Sequence, residues 1–585
     1  MAAKSTRSGS YPIQSQDYTP HPEPGPPTVE QETTFPRSIR ALRNADEADD
    51  HGRTLVICLD GTGDQFDHDN SNVVNFVSCL RKHTLGKQVT YYQSGIGTYD
   101  KGGLKNGIGA AADMAVGSGL GIHIKDAYRF LMQNYREGDK ICLLGFSRGA
   151  YTVRCLAGML HKVGLLPAGN GAQINFAYKF FKDDSPEGWK MSAEFKKTFC
   201  TNVDVYFVGL WDCVASVGFI PRKLPFSKSP TNSIHYFRHA MALDEHRSKF
   251  KVCQWQHQDP NLKRSATVDL TPKAQVKRGM KKSFQLFGVG KTKQSKNDGH
   301  VANGTVNLNE VNGVGGEGTE EKDHFDGGVS EDYKGMTRKD IEQEKLERYF
   351  EALDATRRKH HAVKTDVLEV WFMGCHADVG GGAVKNEERH KLSNIPLRWM
   401  IRQCFECNTG ILFDTAALAD HGLDMHSLWP KYVPPQEPTM EPAPSTIDMY
   451  NKSALAPLNR RSALLRIGTY HRRADEEDFS AFREAHQSAL LPESTEDYFD
   501  ARAPINDQLK QAKGWWVLEF WPIKVRVLAK CGLGWEKKVR MNLGRYRSVR
   551  EKSPKLHWTV QHMVAEGRYK IKPRTAHDCV WEKYV

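Results

Sequence analysis

The stretch Lys140-Ile-Cys-Leu-Leu-Gly-Phe-Ser147-Arg-Gly-Ala-Tyr-Thr-Val-Arg-Cys-Leu-Ala-Gly-Met-Leu160 holds two kinds of pattern joined at one serine. Lys140 to Phe146 is a short apolar run of the length and composition of a buried strand, and Tyr151 onward repeats its apolar residues at helical spacing. Between them Gly145-Phe146-Ser147-Arg148-Gly149 has the form G-x-S-x-G. In that motif a strand turns sharply into a helix and lifts a serine hydroxyl above the sheet. Gly145 and Gly149 have a steric reason, because side chains flanking so tight a turn collide with neighbouring backbone. A chain this long contains the bare string by chance about one time in four, so its strand-before, helix-after setting carries the weight.

Three other runs end as Lys140–Phe146 does, at a polar group: Thr54 to Gly63 (TLVICLDGTG), Asp204 to Asp212 (DVYFVGLWD) and Val367 to His376 (VLEVWFMGCH). Helical patterns at Asn72–Leu80, Leu120–Leu131 and Tyr151–Leu165 lie between and after them. Strands alternating with helices predict a mostly parallel sheet with helices on both faces, and the G-x-S-x-G turn set between strand and helix makes the expected fold α/β-hydrolase-like. In such sheets functional groups gather at the carboxyl ends of the strands.

A nucleophilic serine needs a base, and the base needs an orienting carboxylate. Asp212 and His376 end their strands, and the order Ser147, Asp212, His376 is that of this fold. Asp378 and Asp204 are rival acids. Asp378 sits two residues from His376, whereas Asp212 comes from a separate strand end and is preferred; an Asp there also suits capping of a helix at Val214–Val217. Backbone N–H groups of Asp60-Gly61-Thr62, with that of Arg148, are the expected oxyanion donors. Asp60-Gly61-Thr62 also fits the D-x-D-G-T of phosphotransferases, but Cys58 stands where the first aspartate belongs. His376 with Asp378 makes too few ligands for a metal site, and the glycine-rich stretch Gly95–Gly121 lacks a dinucleotide G-x-G-x-x-G after a strand. Neither a metal nor a cofactor is expected.

The chain has 585 residues, 39% hydrophobic and 26% charged, which exceeds one ordinary core and predicts a catalytic domain with additions. Composition divides it into a disordered Pro-rich tail (1–50), a first hydrolase part (51–255), a low-complexity insertion that is basic, then Gly/Asn-rich, then acidic (256–364), and a second hydrolase part (365–431). A Pro-rich linker with a helical segment (432–500) and a basic extension (501–585) follow. That extension carries 19 Lys and Arg against 7 Asp and Glu, which accounts for the whole formal charge of +12, beside six tryptophans. Contact with anionic membranes is one reading of it; a β-rich cover with buried tryptophans is the other, and nucleic acid is the less favoured partner. No apolar run is long enough to cross a bilayer and no signal pattern opens the chain, so a cytoplasmic protein is expected, with peripheral membrane contact only on the first reading of its extension. The 12 cysteines are scattered, and several, such as Cys58 and Cys142 within apolar strand-like runs, read as buried free thiols.

LVICLDGTG, YYQSGIGTY, GFSRGAYTVRCLAGML, GLWDCVASVG, ALDEHRSKF and WFMGCHADVGGG, in this order, resemble an uncharacterised α/β-hydrolase domain family common in fungi and similar to the catalytic domain of bacterial type VI secretion phospholipase effectors. The resemblance covers Arg53–Trp255 and Asp366–Met400, continues into LSNIPLRWMIRQC, and implies Ser147, Asp212 and His376 as a triad. GWWVLEFWP and NLGRYRSVR in the tail resemble fungal relatives as well. The expected function is hydrolysis of a carboxylic ester, with a lipid or other apolar ester as substrate, through an acyl-serine intermediate. The competing expectation is a catalytically silent hydrolase fold that binds membrane or nucleic acid through its basic extension.

Overall fold

The computed structural model describes residues 34–50, 52–82, 84–95, 118–214, 224, 233–255, 364–438, 441–455, 457–468, 491–529, 532 and 535–585. Most of the 1–50 tail, nearly all of the 256–364 insertion, most of the Gly95–Gly121 stretch and the 215–217 part of the capping alternative fall outside these residues.

Among the described residues eight strands form the central sheet: β1 (Thr54–Leu59), β2 (Gln88–Gln93), β3 (Lys140–Phe146), β4 (Val205–Trp211), β5 (Ile234–Ala242), β6 (Asp366–Phe372), β7 (Lys555–His557) and β8 (Glu582–Tyr584). Their spatial order is β8-β7-β6-β5-β4-β3-β1-β2, and every neighbouring pair is parallel. The sheet is therefore wholly parallel. Strand β1 is buried along its whole length, as expected of a strand covered on both faces. Val56 and Cys58 point into one apolar layer, Leu55, Ile57 and Leu59 into the other.

Helices α1 (Asn72–Cys79), α2 (Ser118–Asn134), α3 (Ser147–Val163), α4 (Ile174–Lys182), α5 (Pro186–Phe199), α6 (His376–Gly380) and α7 (Asn394–Glu406) pack around this sheet. Phe76 of α1 and Ile401 of α7 join the layer of Val56, while Tyr128 of α2, Leu156 of α3 and Phe181 of α4 join that of Ile57. Chain progression reverses at β1, which lies between β2 and β3. Ligands of open α/β sheets bind beyond the carboxyl ends at such a reversal, and Asp60 follows directly on β1 and Ser147 on β3.

The C-terminal 501–585 segment adds β7 and β8 to the edge of the sheet. It also forms an antiparallel pair, Ile523–Leu528 with Trp535–Arg540. Trp516 to Glu519, within the extension for which a β-rich cover is one reading, is instead a short helix. Trp558 is buried, but Trp516 and Trp521 are exposed, so the segment is a cover only in part.

Helix Glu493–Asp500, from the region set apart as linker, is bound to α7 through buried charges. Arg398 donates to Asp497 at 2.5 and 2.9 Å and also bonds Asp500, while Arg402 bonds Glu493 in a bidentate pair at 2.6 and 2.5 Å. Removing one partner of such a pair leaves an uncompensated buried charge. Arg398→Met is expected to lower unfolding stability by about 3–5 kcal/mol, read by chemical denaturation; a loss under about 1 kcal/mol would contradict this account of the interface.

Candidate active site

Ser147 follows directly on β3 with φ at 56°, in the left-handed region that non-glycine residues rarely occupy. The two motif glycines let it stay there. A Cβ on Gly145 would lie 2.8 Å from the backbone of Gly149 and Ala150, and one on Gly149 would collide with the carbonyl oxygens of Leu59 and Asp60. The serine turn is thus pressed against the end of β1.

Asp212, directly after β4, also has a positive φ of 37°. His376, in the turn after β6, completes the group: its Nε2 is 2.7 Å from Ser147 Oγ and its Nδ1 is 2.6 Å from Asp212 Oδ2. All three are buried. Phe146 and Phe250 flank the imidazole, with centroids 4.7 and 4.9 Å away. Burial holds His376 below the ordinary histidine value against the opposing pull of Asp212, which favours the neutral ring of a base. Burial alone would raise the Asp212 carboxyl, but the Arg547 charge and the His376 bond together hold it well below the usual carboxylate range.

Asp378 does something else. Its Oδ2 accepts from the backbone N–H groups of Cys375 and Asn506 at 2.8 and 3.0 Å, and its Oδ1 accepts from the Asn506 amide at 2.7 Å. It caps the turn that carries His376, and burial pushes its carboxyl up to about 6. Of the three candidate acids, Asp212 is the one bonded to the imidazole, while Asp204 precedes β4 at the opposite end of the strand.

The expected oxyanion donors separate in the same way. Asp60 N–H is spent on the Gln93 carbonyl at 3.0 Å, and Gly61 N–H on the Asp60 carboxylate at 2.8 Å. That carboxylate also accepts from Ser71 and Tyr92, so it braces the loop after β1. Among the described residues no partner takes the Thr62 N–H. Arg148 N–H lies in the first turn of α3, where a helix offers no carbonyl of its own.

Residues not picked out by role in the sequence surround this core. The Glu245 carboxylate, paired with Arg247 at 2.8 Å, accepts from the His376 N–H at 3.3 Å, and Arg247 lies over the rings of Phe250 and Trp515. Arg547 bonds both oxygens of Asp212, at 2.6 and 2.8 Å. Among the described residues no cluster of three or more His, Cys, Asp and Glu is arranged to hold a metal ion.

Residues 53–403 match the family model for the T6SS phospholipase effector Tle1-like catalytic domain. The chain belongs to this family. Membership supports hydrolysis of lipid esters in general terms. A relative in Saccharomyces cerevisiae, the uncharacterized protein YEL023C, is 26% identical over 88% of this chain and 80% of its own length. Two solved structures are similar in part. A crystal structure of an uncharacterized Pseudomonas aeruginosa protein is 14% identical with a TM-score of 0.28, covering 79% of this chain and 61% of that one. The Tle1 effector bound to the VgrG spike of a type 6 secretion system is 16% identical with a TM-score of 0.20, covering 36% of this chain and 48% of that one. The chain thus spans less than two thirds of either solved chain.

Overpacking a tight contact costs about 1–3 kcal/mol, and a 1 Å misplacement of reacting groups can cost about 10²-fold in rate. Gly149→Ala is expected to do both, because its methyl group must push β1 and the serine turn apart. Thermal unfolding and the rate of fluorophosphonate labelling measure the two effects; wild-type values for both would show that the close approach is unimportant.

Proposed function

We propose that this chain is a serine hydrolase that cleaves carboxylic esters of lipids through an acyl-serine intermediate. The observation that carries the reading is the unbroken path Ser147 Oγ, His376 Nε2, His376 Nδ1, Asp212 Oδ2, with links of 2.7 and 2.6 Å across the ring. It favours an enzyme over a silent binding fold. In the proposed reaction His376 takes the proton as Ser147 attacks the ester carbonyl, and later gives it to the leaving alcohol. Asp212 fixes the tautomer with the proton on Nδ1, leaving Nε2 to accept. The N–H groups of Arg148 and Thr62 receive the oxyanion, and water then attacks the acyl-serine by the same route in reverse.

Lipid as substrate is supported by family membership and by the rim of the site. Phe250 touches His376 on one side and Trp515 on the other, and beyond Trp515 the chain exposes Val517 (74%), Phe520 (56%) and Trp521 (58%). Exposed aromatics beside lysines suit a bilayer interface. The described cysteines are all free, in keeping with a reducing compartment, and no described helix is long and apolar enough to cross a membrane. A cytoplasmic enzyme acting at membrane surfaces fits these features.

Ser147→Ala is expected to lower kcat by about 10⁶-fold and Asp212→Asn by about 10⁴-fold, with Asp378→Asn affecting rate far less. Assays on a soluble short-chain ester and on phospholipid vesicles test this; near-wild-type turnover by Ser147→Ala would remove the mechanism.

For the membrane contact, sedimentation with phosphatidylserine vesicles is expected to fall as salt rises and to fall further in Val517→Glu/Trp521→Glu. Equal recovery on neutral and anionic vesicles would contradict it, and tighter salt-sensitive binding to RNA would point to nucleic acid instead.

A further inference from the structure

Arg547 lies outside the 53–403 span of the family model, in the C-terminal segment, yet its guanidinium is buried against Asp212. All five of its donors are used. Nη1 donates to Asp212 Oδ1 at 2.6 Å and to the Ala242 carbonyl at 2.9 Å. Nη2 donates to Asp212 Oδ2 at 2.8 Å and to the Phe250 carbonyl at 2.6 Å, and Nε reaches the same carbonyl at 3.0 Å. The arginine backbone is anchored too, its carbonyl accepting from Arg574 N–H at 2.8 Å.

We propose that Arg547 is a positioning residue for the Asp212–His376 pair, and that the C-terminal segment carrying it is a working part of the hydrolase. The proposal rests on the serine-hydrolase reading and adds a requirement to it. A planar fork bonding both oxygens fixes the plane of the carboxylate, so that Oδ2, shared with His376 Nδ1, can face only the ring. The Ala242 N–H, at 3.0 Å from Oδ1, completes the clamp. Phe250, whose carbonyl Arg547 holds, stacks edge-on to the same imidazole, so a single side chain sets both the acid and one wall of the base.

The charge matters as well as the geometry. The groups facing the pair are Arg547 on Asp212, and Glu245, Arg247 and Ser147 about His376. Without Arg547, Asp212 is a buried carboxylate balanced only by the imidazole and the Ala242 N–H. It then either takes up a proton as pH falls or holds the imidazolium more tightly. Both effects inactivate the base at a higher pH than in the wild type.

The same segment grips the loop after β5 at further points. Asp244 bonds Tyr569 and Lys572 at 3.0 and 2.9 Å, His246 bonds Asp507 at 2.8 Å, and Ser248 N–H bonds Glu519 at 2.5 Å. A merely structural arginine would be one more such tether, and loss of a tether lowers the active fraction without moving a titration.

The test uses full-length Arg547→Met and Arg547→Lys, with active sites counted by fluorophosphonate end-point titration and kcat/KM for a soluble ester measured across pH. Arg547→Met is expected to lose about 10²-fold per active site and to shift its acid limb upward by about one pH unit or more. Arg547→Lys, which keeps the charge but not the fork, is expected to lose rate with its acid limb near that of the wild type. An unmoved acid limb and near-wild-type kcat/KM per active site in Arg547→Met would reduce Arg547 to a tether. If Arg547→Met does not fold, wild-type kcat/KM in Arg547→Lys overturns the proposal by itself. A wild-type protein that does not react with the probe would instead defeat the underlying triad reading.

Discussion

One negative charge, completely buried, organises this molecule. Asp212 sits at the carboxyl end of β4 with no exposure to solvent, and an ionised carboxylate there is tolerable only with charge and hydrogen bonds supplied from the protein. Arg547, His376 and the Ala242 N–H supply them. The same set of bonds that keeps Asp212 ionised brings together β4, β5, the turn after β6 and the last forty or so residues of the chain. Charge satisfaction and the alignment of Ser147 with His376 are therefore one constraint.

That constraint changes the meaning of the C-terminal segment. Its composition, basic and rich in tryptophan, suggests a detachable surface-binding extension. In the fold two of its short strands lengthen the sheet, and its Asp507, Glu519, Arg547, Tyr569 and Lys572 hold the polar loop after β5. The proposed surface binding and this support are compatible because they use different residues. Arg547 and Lys572 face inward onto carboxylates, whereas Val517, Phe520 and Trp521 face out.

How much of this the sequence disclosed depended on whether a residue's partner was local. Strands β1, β3, β4 and β6 are apolar runs ending at polar groups, and their reading follows from periodicity alone. Strand β5, Ile-His-Tyr-Phe-Arg-His-Ala-Met-Ala, was hidden because Arg238 and His239 lie within it. Each is satisfied by a distant group, Arg238 by Gln403 and Asp366, His239 by Glu369 and the Cys213 N–H. The site divides along the same line. Ser147, Asp212 and His376 stand at strand ends, in the chain order of the fold. Arg547 carries no local sign of its role, only a place in the motif NLGRYRSVR, and Glu245 and Arg247 only a place in ALDEHRSKF. The donors after β1 could not be told apart by sequence, since which N–H is free depends on where the Asp60 side chain and the Gln93 carbonyl fall.

The central claim is that Ser147 is an activated nucleophile made so by a base and acid drawn from separate strand ends. Peptide mapping by mass spectrometry after brief exposure to a fluorophosphonate tests it most directly, because the probe becomes covalently attached only to a serine whose hydroxyl is deprotonated by a positioned base. The account predicts one adduct per chain, on Ser147, absent after His376→Ala. No adduct, or an adduct on another residue, would contradict it.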